Sequence, residues 1–203
     1  MKKVVLVPIL ILSLFSSYSQ NKANNKLEYG FSIGVNYSNL VKESNLPPQL
    51  YISNGLGFTL GVLVDYKILD FLSVSPKANL TFNGGSLSQQ LLTNIEKVYE
   101  IMPVCLDFKL DFVLKKTKGK INPYFLVGPN FRLAIFEDIT DPTVFPTGND
   151  LAIDFGIGLD KTFSKFKLAP ELRYSFGLLN VVRNPIIQGI NLHTISLVFN
   201  FKD

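Results

Sequence analysis

The 203-residue chain is 47% hydrophobic and only 18% charged, with a mean hydropathy of +0.24. That suits one domain or one membrane barrel, and the formal charge, +4 for the chain and +2 without Lys2 and Lys3 of its leader, is too small to point to nucleic acid or another acidic partner. A lone cysteine, Cys105, excludes an internal disulfide and any cysteine-based metal cluster.

The chain begins like a secretory signal. Lys2 and Lys3 form a basic leader, Val4 to Phe15 an apolar core, and Ser17-Tyr18-Ser19 supplies the small residues that signal peptidase reads. This predicts a signal peptide over 1–19 and a single barrel domain over 20–203, with Gln20 as the first mature residue. Cleavage removes two lysines and no acid, and the residue directly after it is Gln20 rather than a cysteine, which argues against a lipoprotein anchor. Beyond the first twenty residues no apolar run is long enough for a membrane helix.

Strand alternation then sets in. From Leu27 to Tyr37 every odd residue is large and apolar or aromatic, while every even residue from Glu28 to Ser38 is charged, polar or glycine. A two-residue period puts these sets on opposite faces of a strand. The run is longer than an ordinary globular strand and matches a tilted bilayer-crossing one. The pattern recurs over 56–66, 72–83, within 97–114, over 121–135, 151–163 and 166–177, and in the closing run Ile195, Leu197, Phe199, Phe201. Between these runs, 41–55, 84–94, 136–150 and 179–190 read as long loops, and 67–70, 115–120 and 164–165 as short turns. Met102 falls in phase with the apolar face of the fourth run. Long and short connections alternate, as in an antiparallel up-and-down barrel. Eight strands put both termini on the short-turn side, predicting a monomeric outer-membrane barrel of a Gram-negative cell with periplasmic termini.

Alternation alone also fits a soluble lipocalin-like binder, but the apolar faces hold far too many bulky groups for an eight-stranded lumen. The opposite faces are rich in glycine (Gly30, Gly34, Gly57, Gly61, Gly128, Gly156, Gly158), which suits a narrow interior. Tyr29, Tyr66, Phe112, Phe163, Phe166 and Phe201 fall near the short-turn ends and Tyr37, Phe82, Phe131 and Phe176 near the long-loop ends, as two interfacial girdles would. The fold class expected is therefore all-β: an eight-stranded antiparallel transmembrane β-barrel. Pro76, Pro103, Pro123, Pro129 and Pro170 are the awkward feature, since a closed barrel has no edge to hide a missing donor. Bulges or loosened ladder bonds are expected there.

The segments Tyr99-Glu-Ile-Met-Pro-Val-Cys-Leu-Asp-Phe108, Asn122-Pro-Tyr-Phe-Leu-Val-Gly-Pro129 and Leu168-Ala-Pro-Glu-Leu-Arg-Tyr-Ser-Phe-Gly-Leu178 resemble the PorT-like outer-membrane β-barrel family. The likeness spans essentially the whole mature chain. It implies a role in type IX secretion and gliding as one expectation, and carries over no catalytic signature.

The inward phases hold charges of both signs, Glu28, Asp65, Asp107, Asp111, Asp154, Asp160 and Glu171 with Lys77, Lys109, Arg132, Lys167 and Arg173, and of these Lys77, Asp107, Lys109, Arg132, Asp154, Glu171 and Arg173 are the candidate lumen network. In a narrow interior such charges persist only if paired and hydrogen-bonded. The expectation is a structural plug rather than an ion path, with Lys77, Asp107, Glu171 and Arg173 meeting at one depth. His193 lies in the apolar-face phase and Ser196 in the opposite one, so they do not form a base–nucleophile pair. No catalytic, cofactor or metal residue is expected. Phe199 and Phe201 are the expected insertion signal. The function expected is a non-enzymatic structural or assembly component, such as a member of a secretion complex, whose partners are outer-membrane lipid, the outer-membrane assembly machinery and a larger membrane complex. A membrane-embedded lipid-modifying enzyme or small-solute transporter is the alternative.

Overall fold

Period-two alternation commits each long run to a strand with one polar and one apolar face, and eight such strands close on themselves. The computed structural model describes residues 26–42, 49–90, 96–116, 119, 121–136, 148–182 and 189–203. The signal-peptide reading and most of the 136–150 loop lie outside them. The strands are β1 (Leu27–Lys42), β2 (Leu50–Ser53), β3 (Gly55–Leu69), β4 (Leu72–Phe82), β5 (Ser86–Gln90), β6 (Glu96–Glu100), β7 (Val104–Lys115), β8 (Ile121–Phe136), β9 (Asp150–Thr162), β10 (Lys167–Gly177) and β11 (Ile190–Lys202).

The barrel runs β1-β11-β10-β9-β8-β7-β4-β3, with every neighbour antiparallel. β1 closes it, pairing Phe31 with Val62 of β3 and with Phe201 of β11. Asp203 reinforces the closure: its backbone N–H donates to Tyr29 O, and its Oδ1 accepts from Tyr29 N at 2.8 Å. Burial follows the sequence phase. Ile33, Val35 and Tyr37 face outward while Asn36 and Ser38 are buried; Leu172, Tyr174 and Phe176 face outward while Glu171, Arg173 and Ser175 are buried. The outer wall is thus a continuous apolar belt, which a water-facing monomer does not carry.

Two expectations about the loops are corrected. Residues 41–55 and 84–94 are not plain loops, because β2 and β5 lie in them and join β6 in a three-stranded sheet outside the barrel. The fourth run is not one strand over 97–114 either. Pro103 has no donor for a ladder and Met102 adopts φ 49°, so the chain turns between β6 and β7. Met102, expected on the outer face, is instead fully buried with Leu87, Ile101, Val181, Val182 and Leu192. These form an apolar cap at the loop end of the barrel. β1 also continues to Lys42 and β3 to Leu69, leaving Asp70–Phe71 as the turn, closed by a Lys67–Asp70 ion pair at 2.8 Å.

The prolines are accommodated without an edge. In a strand a residue's N–H and C=O point to the same neighbour, so a proline loosens one ladder and spares the other. Pro76 keeps register with Leu110 of β7, while the β3–β4 ladder skips from Leu63↔Lys77 to Tyr66↔Val74. Pro129 pairs with Ile153, while β7–β8 skips from Lys109↔Asn130 to Phe112↔Val127. Pro170 pairs with Phe199, while β9–β10 skips from Leu168↔Lys161 to Glu171↔Gly158. Pro123 pairs with Leu159 and lies just past the last β7–β8 register pair, Lys115↔Tyr124.

Candidate functional site

The inward faces of β4, β7, β9 and β10 converge on Arg173. Its guanidinium donates to both oxygens of Asp111 (Nη2–Oδ2 2.5 Å, Nη1–Oδ1 3.0 Å), to Asp154 Oδ2 at 2.6 Å, and through Nε to Glu171 Oε1 at 2.8 Å. A planar fork answering three carboxylates is the geometry that arginine supplies and lysine does not. Lys77 Nζ lies 3.1 Å from Asp111 and 3.3 Å from Glu171, so each acid is shared between cations. Tyr124 Oη and Asn200 Nδ2 also donate to Glu171, while Ser175 Oγ and Asn130 Nδ2 donate to Asp154. Such charges are buried without ruin because nearly every one has a counter-charge and a hydrogen bond.

The reach of Tyr124 depends on a glycine across the ladder. Tyr124 pairs with Gly158, where an added Cβ would lie 2.2 Å from the ring Cζ. The next inward pair, Leu126 opposite Gly156, repeats this large-against-small fit.

The expected meeting of Lys77, Asp107, Glu171 and Arg173 is only partly found. Lys77, Glu171 and Arg173 meet, but through Asp111. Asp107 lies two strand steps nearer the loop end and pairs with Lys109 at 3.5 Å, accepting also from Thr81 Oγ1 at 2.8 Å and Cys105 Sγ at 3.3 Å. Lys109 links onward to Asp154 at 3.7 Å. Arg132 lies under the cap, donating to Leu192 O at 3.0 Å and pairing with Asp150 at 3.3 Å.

Glu28, Asp65, Asp160 and Lys167, read as inward from their phase, belong to a second cluster at the short-turn end, whose Lys115 and Lys202 sequence reasoning missed. Lys202 Nζ lies 2.7 Å from Asp65 and 3.2 Å from Asp160, and Lys115 Nζ lies 2.9 Å from Asp160 and 3.5 Å from Asp65. Lys167 pairs with Glu28 at 2.5 Å. The signal was available: Lys202 shares parity with inward Asn200, and Lys115 with Asp111.

Little space remains. Between the two clusters a cavity of about 10 Å³ is lined by Ser75, Lys77, Glu171, Asn200 and Lys202, enough for about one water. At the short-turn mouth a vestibule of about 150 Å³ is lined by Lys26, Glu28, Lys115, Asp160 and Lys167 among others. The loop end is closed by the cap. Among the described residues no group of acids, histidine and cysteine has the geometry of a metal site.

On the outer wall, His193 Nδ1 lies 2.7 Å from Tyr174 Oη and its ring packs 4.6 Å from that of Phe176. His193, itself buried by these outward neighbours, has the phase of exposed Ile195 and Leu197, and Ser196 has the opposite phase, so the two side chains are on opposite faces. Phe199 lies beside Pro170, and Phe201 stacks on Phe31 at 4.8 Å and contacts Phe166 at 6.4 Å.

Among solved structures, the chain is similar to Neisserial surface protein A, with a TM-score of 0.54 at 10% identity, covering 86% of this chain and 95% of that one. It is similar too to the outer membrane protein OprG from Pseudomonas aeruginosa, with a TM-score of 0.55 at 11% identity, covering 87% and 91%. At these identities the likeness speaks to fold. No curated protein sequence matches. Residues 18–183 match the outer membrane protein beta-barrel domain family, more than half of the chain. The closed eight-stranded wall, its apolar belt and this match agree: the chain belongs to the outer membrane protein beta-barrel domain family.

Proposed function

We propose that this outer-membrane barrel is a non-enzymatic structural or assembly component of a larger membrane complex, with its termini and short turns in the periplasm. The observation that carries the reading is the filled lumen. Arg173, Lys77 and their carboxylates occupy the middle, the cap covers the loop end, and the cavity between the two ion clusters is about 10 Å³. A barrel without a passage works through its outer wall, turns and loops. The PorT-like resemblance names type IX secretion as the setting, and the signal over 1–19 supplies the route of export.

The test is affinity purification of the barrel from outer membranes, with and without a deletion inside 137–147. Large partners that co-purify with the full chain and are lost with the loop support the reading. A barrel that purifies alone and hydrolyses lipid overturns it. Protease shaving of intact cells tests the orientation: cleavage at 115–120 with 43–48 untouched reverses the topology.

A further inference from the structure

We propose that Lys116 just after β7, Lys161 near the end of β9 and Lys165 in the turn between β9 and β10 form a binding site for anionic phospholipid headgroups. The segments Lys115-Lys-Thr-Lys-Gly-Lys120 and Lys161-Thr-Phe-Ser-Lys-Phe-Lys167 contain seven lysines and no acid. Two of these turn inward and are neutralised, Lys115 by Asp160 and Lys167 by Glu28. Lys116, Lys161 and Lys165 are exposed, and among the described residues none of the three is in an ion pair.

The fold brings these three together. Ile121, the first residue of β8, is in register with Lys161 of β9. Lys116 N donates to Pro123 O at 3.1 Å, and Pro123 pairs with Leu159, two residues from Lys161. Neighbouring strands lie about 4.8 Å apart and two residues span about 6.6 Å along a strand, so the backbones of Lys116 and Lys161 stand about 12 Å from each other, comparable to the Debye length at about 0.1 M salt and within reach of two long side chains on one face. Lys165 sits in the adjacent turn, closed by Phe163 N donating to Phe166 O at 2.8 Å.

The position selects a lipid headgroup over an acidic protein. Lys161 has the outward phase of the lipid-facing wall, and its ammonium lies 4.9 Å from the centre of the Phe163 ring. Phe163 stacks on Phe166 at 5.0 Å, and Phe166 contacts Phe201, which together form the aromatic girdle at this end. Aromatic girdles sit at headgroup level, so the free ammoniums lie where lipid phosphates are. Basic clusters at that level attract anionic lipid by charge. The assignment rests on the membrane-spanning reading of the belt, and the experiment separates the two.

The test is the barrel refolded into phosphatidylcholine bilayers containing a minor fraction of phosphatidylglycerol, with spin-labelled lipids reporting the association of each headgroup at the protein surface. Wild type is expected to favour phosphatidylglycerol over phosphatidylcholine, and added salt is expected to weaken the preference. A triple variant, Lys116→Gln, Lys161→Gln and Lys165→Gln, should lose most of it, each lysine contributing up to about fivefold. Lys42→Gln, at the loop end, should leave it unchanged. No preference in the folded wild type, or an equal loss in Lys42→Gln, overturns the site. Binding of a soluble polyglutamate peptide that abolishes with the triple variant, without any lipid preference, makes it a protein surface instead. Failure to insert into the bilayer at all would sink the membrane-spanning reading and this site with it, whereas insertion without a headgroup preference sinks the site alone.

Discussion

The middle of the lumen and the cap at its loop end are equally buried but built from opposite chemistry. Around Arg173 the buried groups are Asp111, Asp154, Glu171 and Lys77; in the cap they are Leu87, Ile101, Met102, Val181 and Val182. The difference follows from what lies outside each. The cap stands beyond the apolar belt, where burying apolar side chains removes them from water and stabilises it directly. Behind the belt the outside is hydrocarbon, and an apolar lumen would leave nothing to decide which face of a strand turns inward. Charges decide it. A one-residue slip would put Lys77 or Arg173 into the bilayer, at about 2–4 kcal/mol for each near the midplane. The lumen network therefore specifies register while the cap supplies closure.

Breaking the network should have the largest effect. Arg173→Ala leaves three carboxylates competing for the remaining lysines and is expected to destabilise the barrel by about 3–5 kcal/mol in urea unfolding. Replacing Arg173 and Asp111 together by Met and Leu should cost less than Arg173→Ala alone, because one charge of each sign is removed and Lys77 still faces Glu171 while Lys109 still faces Asp154. Unchanged unfolding accompanied by new ion conductance in Arg173→Ala would show a closed channel rather than a structural plug.

The cap should respond differently. Ile101→Ala opens a cavity in its fully buried cluster and should cost about 2–4 kcal/mol of local stability. The expected readout is faster proteolysis of the loop-end sheet, with the unfolding midpoint of the barrel nearly unmoved. A barrel that unfolds early in this variant would mean that cap and lumen are one cooperative unit, and the contrast drawn between them would fail.

A smaller effect is expected where the lumen depends on fit rather than charge. Gly158→Ala drives a Cβ against the Tyr124 ring, and a rigid ring between two strands has little room to move. Overpacking of this kind costs about 1–3 kcal/mol. Tyr124→Phe in the same background should not relieve it, since the clash is with ring carbon Cζ and its neighbour Cε1 as well as with Oη. Relief by Tyr124→Phe would show that the hydroxyl's bond to Glu171, not ring volume, sets the fit.

The wall was readable because alternation is a local signal: each outward residue of 27–37 or 171–177 declares its face through its immediate neighbours. The lumen was readable as a set of charges but not as a set of pairs. Asp111 and Asp107 have the same parity and the same chemistry, and only the stagger of β7 against β10 decides that Asp111, not Asp107, meets Arg173. Lys202 was hidden by its place at the chain end, although Asn200 gave its phase. The cap was unreadable for another reason. β2, β5 and β6 are short, and the break at Met102–Pro103 preserves the apparent phase of the run while turning Met102 from the outside of the wall to the inside of the cap.

The smallest thermodynamic effect, with a distinct kinetic one, is expected at the seam. Phe201 stacks on Phe31 across the β1–β11 junction, the pair that closes the barrel, and also touches Phe166 in the girdle. Aromatic pairs of this kind contribute about 0.5–1.5 kcal/mol beyond their area, so Phe201→Ala should lower the unfolding midpoint only slightly. Closure is another matter, because β1 and β11 are the most distant strands in sequence and their pairing must overcome the largest loop entropy. Residues that align the seam should then weigh more on the rate of insertion than on the stability of the inserted barrel. Phe199, two residues earlier on the same face, pairs with Ile33 and offers a control within β11. The measurement is folding into phosphatidylcholine vesicles followed by heat-modified gel mobility. Phe201→Ala is expected to slow acquisition of the fast-migrating form several-fold more than Phe199→Ala. Equal rates for the two would place the insertion signal in the apolar face of β11 as a whole rather than at its aromatic end.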